Sequence, residues 1–403
     1  MASRPRCRPL DGRIDIPVNL EVAMPLSAEN EALRETVRDF VARELRPHAD
    51  EWEAAEYFPD SVFRRMGELG FLGLRYPEAY GGQGGDYWSA IVLAEEMSRC
   101  GSGGVGMAIS VQAEMATPPI LKFGTEEQKQ RYLVPSILGE KVASLGITEP
   151  DTGSDVASVR TRAERHNGGW RINGSKLYIT NGVRADFIVL VARTGAQEEG
   201  AHGITLFLVD RDTPGFTVSR KLKKLGMHSS DTAELAFDNV EVADSAVLGE
   251  VGQGFYHLMW ELQGERLIGS AGSIAGAEAI FEETLLWCRE REAFGRPIAK
   301  FQVNRHRLVD LYTDISIAKS YVYAVAERWN NGEYPVAEIS MAKLFVGQVT
   351  TRVADTCLQL HGGFGYMAES HISRYFRDSR LIRIGAGTDE VMKEIIAKTA
   401  LSL

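Results

Sequence analysis

The spacing of apolar residues divides the chain into three parts, and the first part predicts helices. After Ser27, the apolar residues Leu33, Val37 and Phe40 recur at the three- and four-residue spacing of one helix face. The same spacing predicts three more helices, near 61–69, 87–100 and 125–138. The first third of the chain is therefore expected to be a helical unit.

Short β-rich runs replace the helical pattern at about residue 146. Gly, Asn and Asp turns separate these runs from one another. The runs lie at 170–180, 186–194, 203–210, 215–220 and 233–242. Short strands at this spacing predict a small β-sandwich or β-barrel.

Long helical segments return from Gly254 onward. They cover 254–291, 301–330, 335–361 and 389–402. Long helices with short connections predict an antiparallel bundle. We therefore predict four units along the chain: a mobile leader (1–26), a helical N-terminal domain (27–145), a β domain (146–248) and a helical bundle (249–403).

Composition and charge narrow the class of protein. The chain has 403 residues and a net charge of −10 without a basic block, which disfavours nucleic-acid binding. No apolar run reaches the ~18 residues of a membrane span, so none is predicted. The four cysteines are scattered, and their spacing fits neither a metal site nor a disulfide framework. We expect a reducing compartment, namely the cytoplasm of a bacterium.

The segment GITEPDTGSDVAS (146–158) is a candidate ligand loop. It places Thr148, Gly153 and Ser154 in one turn-rich stretch that contains no Lys or Arg. Small residues let a backbone approach a flat ligand, and hydroxyls can form hydrogen bonds with its polar edge. Without a cation, the stretch is a poor phosphate clamp. By itself, such a stretch indicates no more than a surface turn.

Four further motifs along the chain help to interpret this loop. They are KLYITNG (176–182), REAFGRPIAKFQ (291–302), QLHGGFGYMAESHISRYFRD (359–378) and IGAGTDEVMKEII (384–396). In this order and spacing, the motifs resemble the acyl-CoA dehydrogenase family over nearly the whole chain from about residue 27. The resemblance implies a multidomain α+β fold with a helical N-terminal domain, a middle β-barrel and a C-terminal four-helix bundle.

The resemblance also implies a reaction and its partners. Such family members bind FAD noncovalently and form homotetramers that are dimers of dimers. They oxidise an acyl-CoA thioester to the trans-2-enoyl-CoA: a base removes the α proton while the β hydrogen passes as hydride to flavin N5. The electrons then go to an electron-transfer flavoprotein. In a eukaryote, the implied location is the mitochondrial matrix.

The identity of the base depends on two positions. Many family members carry a glutamate where this chain has Ala386, and alanine cannot take up a proton. Glu261 and Glu265 lie one helical turn apart, so spacing alone leaves both open. In the isovaleryl-CoA and long-chain branches the base directly precedes an arginine, which corresponds here to Glu265 before Arg266. Glu261 is then interpreted as solvated or structural, and the backbone N–H of Ala386 as a donor to the thioester carbonyl.

The resemblance assigns the other contacts position by position. FAD contacts are predicted at Leu145, Ile147, Thr148, Gly153, Ser154, Tyr178, Thr180, Thr388 and Glu390. Contacts to the FAD of the partner subunit are predicted at Arg291, Phe294, Gln302, Gln359, Gly362 and Gly363. Substrate contacts are predicted at Ser110, Ser154, Arg266, Gly385 and Gly387.

Small residues guide the expectation for the substrate. Gly385 stands where straight-chain members often have a bulky tyrosine, which leaves room for a branch, and the small Ser110 favours a deep pocket. We expect a medium, long or methyl-branched acyl chain, on CoA or on a carrier protein. The alternatives are a short branched-chain, isovaleryl-like enzyme, or a flavin monooxygenase or oxidase on the same fold. A retained base at Glu265 argues against a monooxygenase.

Overall fold

The computed structural model describes residues 26–403. The predicted leader, 1–26, lies outside the described residues except for Leu26. Helices occupy both ends of the described range, and an eight-stranded sheet lies between them. Within this range, no helix is both long and apolar enough to cross a membrane.

The N-terminal part is helical, as its apolar spacing predicts. Its helices are α1 (Ala28–Phe40), α2 (Ala49–Ala55), α3 (Ser61–Glu68), α4 (Tyr87–Met97), α5 (Gly103–Ser110), α6 (Pro118–Phe123), α7 (Glu126–Gln128) and α8 (Val134–Ile137). Ser27 caps α1, because its side-chain oxygen accepts a hydrogen bond from the N–H of Asn30 at 3.1 Å. The helix predicted over 125–138 is confirmed, but it is irregular: α7 continues through a π-helical turn at Lys129–Leu133 into α8, which has Pro135 in its first turn.

Eight strands follow, and they form one mixed sheet. They are β1 (Ala143–Gly146), β2 (Arg162–His166), β3 (Gly169–Thr180), β4 (Phe187–Arg193), β5 (Ile204–Asp210), β6 (Phe216–Lys221), β7 (Thr232–Ala243) and β8 (Val247–Leu248). The order is β6-β7-β3-β2-β4-β5-β8, with β1 also paired to β4. The strands β1 and β2 run parallel to β4, and the other pairs are antiparallel. The five predicted runs are confirmed as strands, whereas the short β1, β2 and β8 were not predicted.

The closed β-barrel implied by the resemblance is wrong for this sheet, which is open. Its edges are β6 and β8, which do not pair with each other. The sheet consists of two antiparallel halves, β6-β7-β3-β2 and β4-β5-β8. They are joined where β2 pairs with β4 through one residue pair, Arg162 with Arg193. The halves pack face to face, and the ring of Trp170 on β3 lies 5.6 Å from that of Phe207 on β5. Such packing is the sandwich arrangement that the strand spacing also allows.

The C-terminal part contains the predicted long helices. Its elements are α9 (Gly254–Glu290), β9 (Glu292–Ala293), β10 (Arg296–Pro297), α10 (Gln302–Asn330), α11 (Val336–His361), α12 (His371–Asp378) and α13 (Asp389–Ala400). Helix α9 packs against α10 and α11, and α11 packs against α13. Trp88 and Ile91 of α4 share one apolar core with Leu267 and Ile274 of α9, so an N-terminal helix closes one side of the bundle.

Strand β4 positions the sheet against α9. It is buried along its whole length because both of its faces are covered. Ile188 and Leu190 face the inside of the sheet, where they pack with Phe207. Val189, on the opposite face, belongs to the same core as Leu258 of α9. The sheet therefore rests directly on the N-terminal turns of α9, a few residues before Glu265.

Candidate active site

Two acidic residues lie on the buried part of α9. Glu261 is only 2% exposed, whereas Glu265, one turn later, is partly exposed. Arg266 beside it is also buried. The hydroxyl of Tyr87 on α4 donates to the carbonyl of Gly264 at 3.0 Å, which fixes α4 against this turn. Of the two glutamates, Glu265 is the one whose side chain remains accessible.

Burial controls the protonation of both glutamates. Burial raises the pKa of Glu265 to about 7, and the charges of Arg266 and Lys343 act in the opposite direction. Burial also raises the pKa of Glu261 well above its ordinary value, and the charge of Glu265 raises it further. A carboxyl group with a pKa near 7 is partly ionised at neutral pH, which suits a general base.

Two cations hold the turn that contains Ala386. Arg266 donates from Nε to the carbonyl of Ala386 at 2.9 Å, and Lys343 donates from Nζ to the carbonyl of Gly387. Ala386 has a φ of 55°, so an alanine occupies the left-handed region that usually takes glycine. Strain of this kind is often retained where a backbone has a function. The turn is thereby fixed to the part of α9 that carries Glu265.

The two glycines of this turn differ in the space around them. Gly387 has a φ of 99°, and a Cβ there would lie 2.8 Å from Cε of Met392, so the position requires glycine. A Cβ on Gly385 would meet only Leu381, at an ordinary 3.7 Å. The backbone therefore does not require glycine at 385, which is compatible with a role in shaping the pocket.

A buried ion pair holds the candidate ligand loop. Lys176 on β3 is fully buried and donates from Nζ to the Glu149 carboxylate at 2.8 Å and to the carbonyl of Ile147 at 2.9 Å. Glu149 also accepts the backbone N–H groups of Arg160 at 2.6 Å and Thr161 at 2.9 Å. Because Glu149 lies inside the 146–158 segment, these bonds fix the loop against the strand that carries the next motif.

Tyr178 projects from an irregularity in β3. The register with β7 shifts between Lys176 and Ile179, and Tyr178 within this bulge has a φ of 63°. A β-bulge re-aims a side chain, and here Tyr178 is 66% exposed although it belongs to a long strand. Leu177 donates its N–H to the carbonyl of Thr148 at 2.8 Å, so the aromatic ring lies close to the ligand loop.

The hydroxyl groups that are predicted to contact FAD differ in whether they form hydrogen bonds within the protein. The side-chain oxygens of Thr148, Ser154 and Thr180 form no hydrogen bond within residues 26–403. Thr388, in contrast, caps α13 by accepting the N–H of Val391 at 3.3 Å. An accessible aromatic face with three uncommitted hydroxyls fits a flat heterocycle that has a polar edge.

The residues predicted to contact the FAD of a partner subunit lie on the surface near the C-terminal end of α9. Trp287 stacks on His361, with ring centroids 4.9 Å apart, and ties the end of α9 to that of α11. Phe294, between β9 and β10, is 95% exposed. His361 is buried. The members of this set, all exposed, are Arg291, Phe294, Gln302, Gln359, Gly362 and Gly363.

Within one subunit, the residues predicted to contact the partner's FAD are far from those around Glu265. Helix α9 is continuous from Gly254 to Glu290, so about 38 Å separates Glu265 from Glu290 at 1.5 Å per residue. A Cβ on Gly362 or on Gly363 would meet no atom within 4 Å, so the backbone there lies open. The exposed set therefore does not line the cleft at Glu265 of its own chain.

A cavity of about 190 Å³ lies between α4, α5, α9 and α12. On α9 it is lined by Gly269, Gly272 and Gly276, which lie on one helix face, and on α5 by Ser110. A Cβ on Gly276 would lie 3.4 Å from Cε2 of Tyr375. The three glycines leave room for this cavity along α9, from one turn after Glu265 onward.

Comparisons with known proteins agree with this architecture. Family models described as the acyl-CoA dehydrogenase N-terminal, middle and C-terminal domains match residues 27–140, 144–240 and 252–401. The chain belongs to the acyl-CoA dehydrogenase family. It is 39% identical over 373 residues to the mitochondrial long-chain specific acyl-CoA dehydrogenase of Sus scrofa, covering 92% of this chain and 86% of that protein. It is 38% identical over 367 residues to the mitochondrial isovaleryl-CoA dehydrogenase of Solanum tuberosum, covering 91% and 89%.

Solved structures show the same likeness. The acyl-CoA dehydrogenase of Geobacillus kaustophilus matches with a TM-score of 0.91 at 41% identity, covering 94% of this chain and 99% of that chain. As a member of the acyl-CoA dehydrogenase family, the protein is an FAD-dependent enzyme that oxidises acyl-CoA. The family, the enzyme class and the cofactor predicted from the motifs are therefore confirmed.

Several charged residues at the site could not be predicted from the sequence. Arg75 and Glu114 form a 2.7 Å ion pair whose charges act on Glu261, and Lys343 is fully buried. The only sequence signal for Glu114 is an acidic residue inside the apolar run at 111–116. Of the two interpretations of Glu261, solvated or structural, the solvated one is wrong, because the side chain is buried.

Proposed function

We propose that this enzyme converts a medium- or long-chain acyl-CoA, straight or methyl-branched, to the trans-2-enoyl-CoA, with Glu265 as the base that removes the α proton. The accessible Glu265 carboxyl group, with its pKa raised to about 7 by burial, carries this proposal. Ala386 has no group that takes up a proton. Glu265 accepts a proton only when ionised, so the reaction rate is expected to rise with pH through about 7.

The other groups supply position and charge stabilisation. Removal of the α proton builds negative charge on the thioester oxygen, so a fixed donor must face that oxygen. We assign this role to the backbone N–H of Ala386, whose turn Arg266 and Lys343 hold in place. A backbone donor is unaffected by the loss of the side chain at this position. FAD held beside Tyr178 and the ligand loop would supply the acceptor, flavin N5, for the β hydrogen that leaves as hydride.

The FAD contacts are proposed in two sets. The accessible Tyr178 ring and the hydroxyls of Thr148, Ser154 and Thr180 support a flavin site beside the ligand loop. The exposed Arg291 surface, about 38 Å along α9, supports contacts to the FAD of a partner subunit. Such sharing requires at least a dimer, and we propose a homotetramer. An electron-transfer flavoprotein is the proposed electron acceptor.

The cavity supports the proposed chain length. Between Gly269 and Gly276 it follows α9 for about 10 Å, beyond the turn that carries Glu265. A Cβ on Gly106, which also lines the cavity, would meet no atom within 4 Å. A four- or five-carbon acyl group would leave most of this space empty, which disfavours a short branched-chain substrate. Gly385 provides the room for a methyl branch near the reacting carbons.

Anaerobic mixing with acyl-CoA tests this function. We expect the yellow flavin to bleach with straight chains of about ten or more carbons and with their methyl-branched forms, and to bleach slowly with isovaleryl-CoA. Fast bleaching with isovaleryl-CoA alone would favour the short branched-chain alternative. Readmission of air then tests for an oxidase: rapid formation of peroxide in step with bleaching would contradict the dehydrogenase assignment. A monooxygenase would show no bleaching with acyl-CoA.

A further inference from the structure

Glu261 is a buried carboxyl group that the proposed reaction does not use. It is 2% exposed, and neither of its carboxyl oxygens has a hydrogen-bond partner in the described part of the chain. A buried polar atom without a partner is rare in folded proteins and calls for an explanation. Because a charged carboxylate is costly to bury without a partner, Glu261 is expected to hold a proton.

The charged groups around Glu261 leave it one available partner. Arg75 faces it from the loop before α4, but its guanidinium group is bound to Glu114 at 2.7 Å. Arg266 uses Nε for the carbonyl of Ala386, and its Nη1 has no hydrogen-bond partner in the described part of the chain. No nitrogen of Arg266 lies within 4.0 Å of a Glu261 carboxyl oxygen, so this cation does not pair with Glu261. Tyr76 and Tyr87 also face Glu261, and their hydroxyls are bound to Thr117 and to the carbonyl of Gly264. Lys343 faces Glu265 from α11 and is bound to the carbonyl of Gly387.

The remaining group is the Glu265 carboxylate. Residues four apart on a helix have neighbouring side chains, with Cβ atoms about 5–6 Å apart. Glu265 has no ion pair or hydrogen bond with other residues of the described range. A protonated Glu261 and an ionised Glu265 are therefore a donor and an acceptor that lack any other partner.

We propose that Glu261 stays protonated and donates a hydrogen bond to the Glu265 carboxylate, which makes Glu261 a positioning residue for the base. This inference rests on the proposed function of Glu265. The hydrogen bond favours the ionised form of Glu265 and limits the effect of burial on its pKa. It also restricts the rotamers of the base. Glu261 gives up no proton during turnover; its hydroxyl only orients the carboxylate.

The pH dependence of flavin bleaching at saturating acyl-CoA tests this role in the FAD-loaded enzyme. Glu261→Leu removes the hydrogen-bond donor to Glu265. The acid limb, which is the part of the pH profile in which bleaching becomes faster as Glu265 ionises, is therefore expected to move to higher pH by about one unit. Glu261→Gln supplies an amide donor of the same size and should keep the limb near its original pH. An unmoved limb in Glu261→Leu would overturn the proposal. A shift to lower pH in both variants would overturn it as well, because it would show that Glu261 is charged.

An infrared measurement tests the protonation of Glu261 without catalysis. The spectrum of the wild-type enzyme minus that of Glu261→Gln, at pH 8, should contain the carbonyl band of one protonated carboxyl group. Its absence would contradict the proposal even if Glu261→Leu failed to fold. The Glu265→Gln variant separates the two hypotheses. If that variant bleaches normally, Glu265 is not the base, whatever the infrared band shows about Glu261.

Discussion

The two ends of α9 carry sites of opposite character. At Glu265 the acidic group is partly buried, and buried cations of the same chain hold the Ala386 turn beside it. At Arg291 the side chains point outward, and Phe294 is 95% exposed. A single exposed phenylalanine is common on protein surfaces, but Phe294 lies beside Arg291, and the resemblance implies that both contact the FAD of a partner subunit. The difference supports a division of labour: one chain supplies the chemistry, and a second copy helps to hold the cofactor.

Substitution of Glu265 on α9 should have the largest effect on turnover. Glu265→Gln keeps the size of the side chain but cannot take up a proton, so turnover should fall by roughly a hundredfold to ten-thousandfold. FAD content and thermal stability should remain close to those of the wild type. Glu261→Gln, one turn away on the same helix, is the matched control and should turn over at a rate near that of the wild type at pH 8. The reverse pattern would assign the base to Glu261.

The exposed end should affect cofactor retention and assembly rather than chemistry. Arg291→Ala removes a planar cation suited to phosphate oxygens, so FAD affinity should fall about 10- to 100-fold. FAD should also stabilise the dimer by mass action. Equilibrium dialysis and analytical ultracentrifugation measure the two effects. Arg289→Ala, an exposed arginine two residues earlier, is the control. A monomer that retained FAD stoichiometrically would contradict the shared site.

The cavity that begins one turn after Glu265 offers a test of the acyl chain length that the enzyme accepts. Gly276→Leu should fill the channel next to Tyr375 and lower kcat/KM for a sixteen-carbon acyl-CoA by about 10- to 50-fold, because overpacking costs about 1–3 kcal/mol. A six-carbon substrate should be affected little. Gly276→Ala is the control, since its Cβ would make an ordinary contact at 3.4 Å. Equal losses on both substrates would place the acyl chain elsewhere.

The smallest expected effect concerns branching. Gly385→Tyr should lower kcat/KM for 3-methyl-branched acyl-CoAs about fivefold more than for straight chains, which corresponds to the lower end of the overpacking range. Gly385→Ala should leave this ratio unchanged, because its Cβ would lie 3.7 Å from Leu381. If Gly385→Tyr lowers both activities equally, the position serves the backbone turn rather than substrate choice.

The sequence predicts the parts of the fold that depend on periodic apolar residues. Helices α9, α10 and α11 are long enough for their spacing to be unambiguous, and the five main strands lie between clear turn signals. Closure of the sheet could not be predicted, because it depends on whether β6 meets β8, which are distant in sequence. The π-helical turn at Lys129–Leu133 precedes Pro135, a local signal of irregularity that the apolar pattern did not show.

The site was predictable only where a motif exists. Ala386 and the ligand loop lie in motifs, and the resemblance to two family branches implies Glu265. The charged groups that face Glu261, in contrast, come from segments with no common pattern. The left-handed φ of Tyr178 could not be expected, because a bulky residue rarely adopts it without support from tertiary contacts. Burial of Glu261 likewise depends on how α4 and the 111–116 segment pack on α9.

The most direct test of the central claim is the exchange of α hydrogens without oxidation. An acyl-CoA whose β carbon is replaced by sulfur has acidic α hydrogens but no β hydrogen to lose as hydride. In heavy water, the FAD-loaded wild-type enzyme and Glu261→Gln should exchange these hydrogens for deuterium, as measured by mass spectrometry, and Glu265→Gln should not. Exchange at the wild-type rate in Glu265→Gln would show that another group removes the proton.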